Sequence, residues 1–142
     1  MKEQSSTALP EIRKIVVLNA PIDRVWKAVA TSEGLAAWWM PNNFQPIVGH
    51  EFVLHTGHFG DSPCKVTDLD QPYRLEFSWG KDWHLAFELR ELDGKTELTL
   101  LHSGWDAQKV TEFGQPHTVI RQVMDNGWGD LGKLRQYVED NG

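Results

Sequence analysis

Of the residues that can do acid–base work, His102 holds the most suggestive place. It shares a strand face with Leu98 and Leu100. If that face points inward, an imidazole stands beside an apolar interior. There it can hydrogen-bond a ligand carbonyl or hydroxyl, or act as a general base. The competing reading is a histidine satisfied by backbone near a strand end. His50, His55 and His58 are close in sequence, but His50 and His55 sit at odd separation in a strand-like run and point to opposite faces. No cysteine or carboxylate completes a ligand set around them, so no metal is expected. Cys64 follows a proline and precedes a strand, the usual setting of a buried structural thiol. The serines lack a Gly-x-Ser-x-Gly elbow, and no Gly-rich phosphate loop occurs. No catalytic residue and no cofactor are assigned.

The aromatic residues carry the stronger signal. The chain has seven Trp and six Phe in 142 residues. An indole needs cover for its ring and an acceptor for its N–H. So many in one small domain suits a pocket lined with flat faces. The expected ligand-binding set is Trp38, Trp39, Leu75, Phe77, Trp79, Leu100, His102, Met124 and Trp128. Phe77 and Trp79 line the sheet side, Trp128 projects from the last helix, and Trp38 or Trp39 forms the mouth. The competing reading is a plain aromatic core in which every ring packs on another.

The elements that must position these residues follow from periodicity. Met1 to Pro10 reads as a flexible lead, and residues 11–142 as a single domain. Ile12 to Asn19 is a strand with Ile12, Val16 and Leu18 on one face. Pro21 opens a helix carrying Ile22, Val25, Trp26 and Val29. Thr31 or Ser32 caps a second short helix that ends before Met40-Pro41. The period then changes to two. Gly49–His55, Cys64–Leu69, Tyr73–Trp79, a run from Trp83 and a run through Leu98–His102 read as antiparallel strands. Asp93-Gly94 marks a hairpin. Ser103 to Pro116 reads as a loop. A single amphipathic helix is expected from about Thr118 to about Glu139, with Ile120, Val123, Met124, Gly127, Trp128, Leu131, Leu134 and Val138 as its stripe. Gly127, Gly129 and Gly132 lie within it, each costing about 1 kcal/mol against alanine. Such glycines serve either close packing or room for something bulky.

Charge and cysteine content narrow the partners. The formal charge is −6, and the basic residues are scattered singly. Neither nucleic acid nor membrane insertion is expected. With one cysteine no internal disulfide can form, and a cytoplasmic setting fits.

Strand, two helices, an antiparallel run and a long amphipathic helix make an α+β helix-grip fold: a curved sheet wrapped around the last helix. The motifs agree. Ala20-Pro21-Ile22-Asp23-Arg24-Val25-Trp26-Lys27-Ala28-Val29 resembles the opening of the START/SRPBCC superfamily. Leu35-Ala36-Ala37-Trp38-Trp39-Met40-Pro41 resembles the segment that follows in one branch, the family named for the activator of heat-shock protein ninety ATPase. Tyr73–Trp79, Lys95–Leu100, His102-Ser103-Gly104 and Asn126-Gly127-Trp128 match in the same order, from about residue 11 to the end. The resemblance implies a cavity between sheet and C-terminal helix that binds a small hydrophobic or aromatic molecule, such as a lipid, polyketide or flavonoid-like compound. Two alternatives accompany it. One is an aromatase/cyclase- or hydrolase-like enzyme using His102. The other is a stress-response domain in contact with the chaperone. That activator resembles a two-domain chain, and this one has room for the C-terminal-type domain alone.

Overall fold

A computed structural model describes residues 8–55, 61–80, 82–111, 114–129 and 131–140. The elements run β1 (Ile12–Leu18), α1 (Ile22–Val29), α2 (Ser32–Trp38), β2 (Glu51–His55), β3 (Asp61–Asp70), β4 (Arg74–Trp79), β5 (Trp83–Leu92), β6 (Lys95–Ser103), α3 (His117–Trp128) and α4 (Gly132–Asp140). The strands form one six-stranded sheet in the order β1-β6-β5-β4-β3-β2, and every neighbouring pair is antiparallel. This is the expected α+β helix-grip architecture. Asp93 and Gly94 take φ of 54° and 86°, the left-handed pair that a tight two-residue hairpin requires.

Alternation decides the faces. Leu75, Phe77 and Trp79 of β4, Leu85 and Phe87 of β5, and Leu98, Leu100 and His102 of β6 are all buried. Arg74, Glu76 and Glu88 lie on the outer face. Arg74 ion-pairs there with Asp68 at 2.9 Å, Glu76 at 3.6 Å, and Glu88. Register sets His102 between Ile12 of β1 and Leu85 of β5, one residue before the end of β6, and its imidazole is fully buried there.

The short helices close one side. Thr31 Oγ1 accepts the Gly34 N–H at 2.9 Å, the cap expected of this residue. Trp38 donates its indole N–H to the Ala28 carbonyl at 2.8 Å, tying the end of α2 to the end of α1. The two helices cross closely at Gly34, where an added Cβ would stand 2.3 Å from the Lys27 carbonyl oxygen.

Ahead of β1, Ala8 bridges to Asp106, and the Leu9 N–H donates to the Trp105 carbonyl at 2.9 Å. Residues 1–7 lie outside the described residues, as do 56–60 of the Thr56–Asp61 loop. Two expectations need correction. First, β3 starts at Asp61 and runs through Pro63. The proline is tolerated because β4 ends opposite Cys64, and the Pro63 carbonyl accepts the turn N–H of Gly80 at 2.8 Å. Last, the single C-terminal helix is two. Gly129 (φ 51°) and Leu131 (φ 58°) both leave the helical region between α3 and α4. Gly129 ends α3 at φ 51° and ψ −124°, a conformation open chiefly to glycine. Leu131, Leu134 and Val138 are buried as though the stripe continued, which is why periodicity reads through the break.

Two glycines therefore respond oppositely to alanine. Gly34→Ala lowers stability by roughly 1–3 kcal/mol despite the helix preference for alanine, because backbone must move. Gly127→Ala meets nothing within 4 Å. It raises stability by up to about 1 kcal/mol. Urea midpoints of the two variants against the parent check both signs.

Candidate functional site

A cavity of about 670 Å³ opens where β2 and β4 finish, beneath the junction of α3 and α4. The end of α2 contributes Trp38, Trp39 and Met40, and the sheet contributes Trp79 and His55. α3 contributes Val123, Met124, Gly127 and Trp128. The break and α4 supply Gly129, Leu131, Gly132, Lys133 and Leu134. The wall is mainly apolar, and His55 and Lys133 are its charged or titratable members. Val123 is 53% exposed, and Gly127 is exposed too, although both fall on the helix's apolar stripe. The part of the stripe that does not reach the core is the part over the cavity. Gly127 serves room here, since a Cβ on it would touch nothing.

Trp39 dominates the interior side. It is the C-cap residue of α2, with φ −125° and ψ −86°. Its ring stacks on Trp38 at 5.8 Å and meets Trp79 at 5.4 Å and Trp128 at 5.3 Å. Behind it the aromatic core interlocks. Phe77 lies 6.5 Å from Trp39 and 5.1 Å from Phe52, and Trp38 lies 6.2 Å from Phe87.

Of the nine residues expected at a ligand, the structure brings Trp38, Trp39, Trp79, Met124 and Trp128 together on the cavity wall. Leu75, Phe77, Leu100 and His102 lie behind that wall, fully buried. The open space therefore occupies one end of the helix–sheet interface, and interlocked rings fill the rest.

His102 is the hub of the shell behind the wall. Trp79 stacks on it at 5.1 Å with 19° between planes, and Trp83 meets it edge-on at 5.1 Å. Trp105 lies at 4.7 Å and Trp128 at 6.1 Å. His102 Nδ1 accepts the Trp128 indole N–H at 3.1 Å, and its carbonyl accepts that of Trp105 at 2.9 Å. So Nδ1 is satisfied by an indole rather than by backbone. Burial, with a smaller contribution from the Arg121 charge, pushes its pKa from the ordinary 6.5 down to about 3. The imidazole is neutral at pH 7, and because Nδ1 accepts, its proton sits on Nε2. A ring so arranged is a poor general base, since its basic nitrogen already holds a donor.

Trp83 and Trp105 stand beside His102 without being among the residues expected at the site. Trp105 sits in the patternless Ser103–Pro116 loop, where periodicity is silent. The signal available was the indole itself, which seldom stands in a loop without cover. The other histidines are dispersed. His55 Nδ1 pairs with Asp61 at 2.8 Å, and His50 Nε2 lies 3.2 Å from the Asn43 carbonyl. His58 is outside the described residues.

Residues 19–139 match the family described as Activator of Hsp90 ATPase homolog 1-like protein. The solution structure of Bacillus halodurans protein BH1534 is 45% identical, with a TM-score of 0.82 over 93% of this chain and 99% of that one. DynU16, from the dynemicin biosynthetic locus, is 23% identical, with a TM-score of 0.75 over 92% of this chain and 48% of that one. The Aha1 dimer from Colwellia psychrerythraea is 18% identical, with a TM-score of 0.76 over 92% of this chain and 97% of that one. The last two show likeness of fold. A comparison with curated proteins finds no match.

The buried imidazole makes stability depend on pH. Its folded pKa of about 3 lies below the unfolded 6.5, so between those values the unfolded chain holds a proton that the folded chain does not. Stability is full above 6.5 and falls as pH drops. For this one group the loss between pH 7 and pH 5 is about 2 kcal/mol. His102→Asn keeps an acceptor for Trp128 and removes the titration, so its stability changes less over that interval by about that amount. Urea unfolding of both proteins at pH 5, 6 and 7 measures the difference.

Proposed function

The chain belongs to the family of Activator of Hsp90 ATPase homolog 1-like proteins, and from that premise we propose that it is a binding module for a small hydrophobic or aromatic molecule. The carrying observation is the 670 Å³ cavity with four indoles on its wall, Trp38, Trp39, Trp79 and Trp128. That volume falls within the range of about 300–1,000 Å³ usual for small-molecule sites. Flat rings on the wall favour a flat guest, since offset and edge-to-face stacking add to the gain from burying apolar surface. A lipid, polyketide or flavonoid-like compound fits this chemistry. The origin of DynU16 in a biosynthetic locus supports a guest of that kind.

The neutral, indole-held His102 supports binding over catalysis. It lies behind Trp79 and Trp128, and it offers a guest a donor rather than a base. No helix among the described residues is long and apolar enough to cross a membrane.

Titration with a panel of planar aromatic compounds tests the proposal. Binding changes the tryptophan emission and raises the melting temperature. At a free ligand concentration of 100 times Kd the stabilisation is about 2.7 kcal/mol. Gly127→Leu places a side chain in the open space over the cavity. It lowers affinity at least tenfold while the variant remains folded by circular dichroism. No response to any member of the panel sinks the reading.

A further inference from the structure

Three hydrogen-bond donors in the shell behind the cavity have no partner among the described residues: Trp79 Nε1, Trp83 Nε1 and His102 Nε2. All three are deeply buried, with Trp79, Trp83 and His102 only 2%, 8% and 0% exposed. They belong to one cluster, since each pair of these rings has its centroids 5.1 Å apart. An indole nitrogen can only donate, and His102 Nε2 donates because Nδ1 is the acceptor for Trp128.

The contrast with neighbouring indoles is informative. Trp38 donates to the Ala28 carbonyl, Trp105 to the His102 carbonyl, and Trp128 to His102 Nδ1. The fold thus supplies acceptors to these buried indoles and leaves a trio of the same sign together. The neighbouring Asp82 carboxylate does not bond to the trio: one oxygen takes Lys109 Nζ at 3.1 Å, and the other, buried and itself without a hydrogen bond, lies 3.6 Å from His117 Nε2. A buried donor without an acceptor is destabilising, so the cluster gains from any acceptor brought to it.

On the footing of the ligand-binding reading, we infer that the guest carries a carbonyl oxygen, received by the N–H groups of Trp79, Trp83 and His102. Two residues link the trio to the cavity. Trp79 and Trp128 both line the open space and both touch the His102 ring. Trp39, half buried, lies against those same two indoles. A guest that displaces Trp39 brings its own ring between Trp79 and Trp128 and its oxygen to the donors. A carbonyl offers two lone pairs without carrying a charge into a shell of indoles. A pure hydrocarbon of the same outline leaves the donors as they are.

Fluorenone and fluorene make the test, being planar tricycles of one outline that differ by a carbonyl for a methylene. Calorimetric titration is expected to give at least tenfold tighter binding of fluorenone. Burial alone favours the less polar fluorene, so that preference requires hydrogen bonds. Trp79→Phe and Trp83→Phe each keep a ring and remove an N–H. Each is expected to cut the preference several-fold, and Trp83→Phe, whose ring is not on the cavity wall, changes fluorene affinity less than twofold. In the parent protein, ¹⁵N-labelled indole resonances report without any substitution: two of them move downfield with fluorenone and not with fluorene. Equal binding of the two probes, or tighter binding of fluorene, overturns the carbonyl inference and leaves the cavity reading standing. A fluorenone preference that survives both substitutions, with no downfield shift, overturns the assignment to these donors. Binding of neither probe removes the inference together with the reading beneath it.

Discussion

The hydrogen bond from the Trp128 indole to His102 Nδ1 is the constraint around which the site is organised. It joins the inner face of β6 to the end of α3 across the aromatic interior. A buried imidazole is tolerated when it stays neutral, and each nitrogen that finds a partner lowers its cost. Trp128 satisfies one nitrogen, and burial keeps the ring uncharged. The same bond sets how closely α3 approaches the sheet at its C-terminal end. Elsewhere α3 is held from outside, by Lys14 pairing with Asp125 at 2.6 Å and by Arg121 donating to the Pro10 carbonyl at 2.8 Å. The helix is thus anchored to the β1 edge and to His102.

The location of the open space follows from that anchoring. Ile120 and Trp128 reach the core, while Val123 and Gly127 between them do not. A helix pinned near both ends, with a glycine where a side chain would point, spans a gap rather than filling it. The break after Trp128 widens that gap, because Leu131 and Leu134 return to the core in a second helix with its own direction. Trp39 limits the space from the other side. The result is a pocket at one end of the sheet, while Phe52 packs on Phe77 and Phe87 on Trp38 along the rest.

Much of this was legible from residue types and spacing. Alternation assigned the faces of β1, β4, β5 and β6, and it turned His102 inward with Leu98 and Leu100. The Thr31 cap and the Asp93-Gly94 turn were readable because their chemistry lies within a few residues. Five of the nine residues expected around a ligand stand on the cavity wall. Leu75, Phe77, Leu100 and His102 do not, because face assignment cannot tell a residue that borders a void from one covered by Trp39 or Trp79.

What the sequence determined by itself is therefore what depends on near neighbours: strand faces, caps, turns and the α+β order that leads to a helix grip. Only the tertiary structure decided the break at Gly129 and Leu131, the choice of Trp128 as the partner of His102, the role of Trp105 and the extent of the cavity. The physical reason is range. Periodicity records which side of an element is apolar, and it continues through a change of direction as long as the apolar side persists. Whether two such sides meet, interlock or stand apart depends on distances between elements far apart in the chain, and those are set jointly by all the contacts of the folded protein.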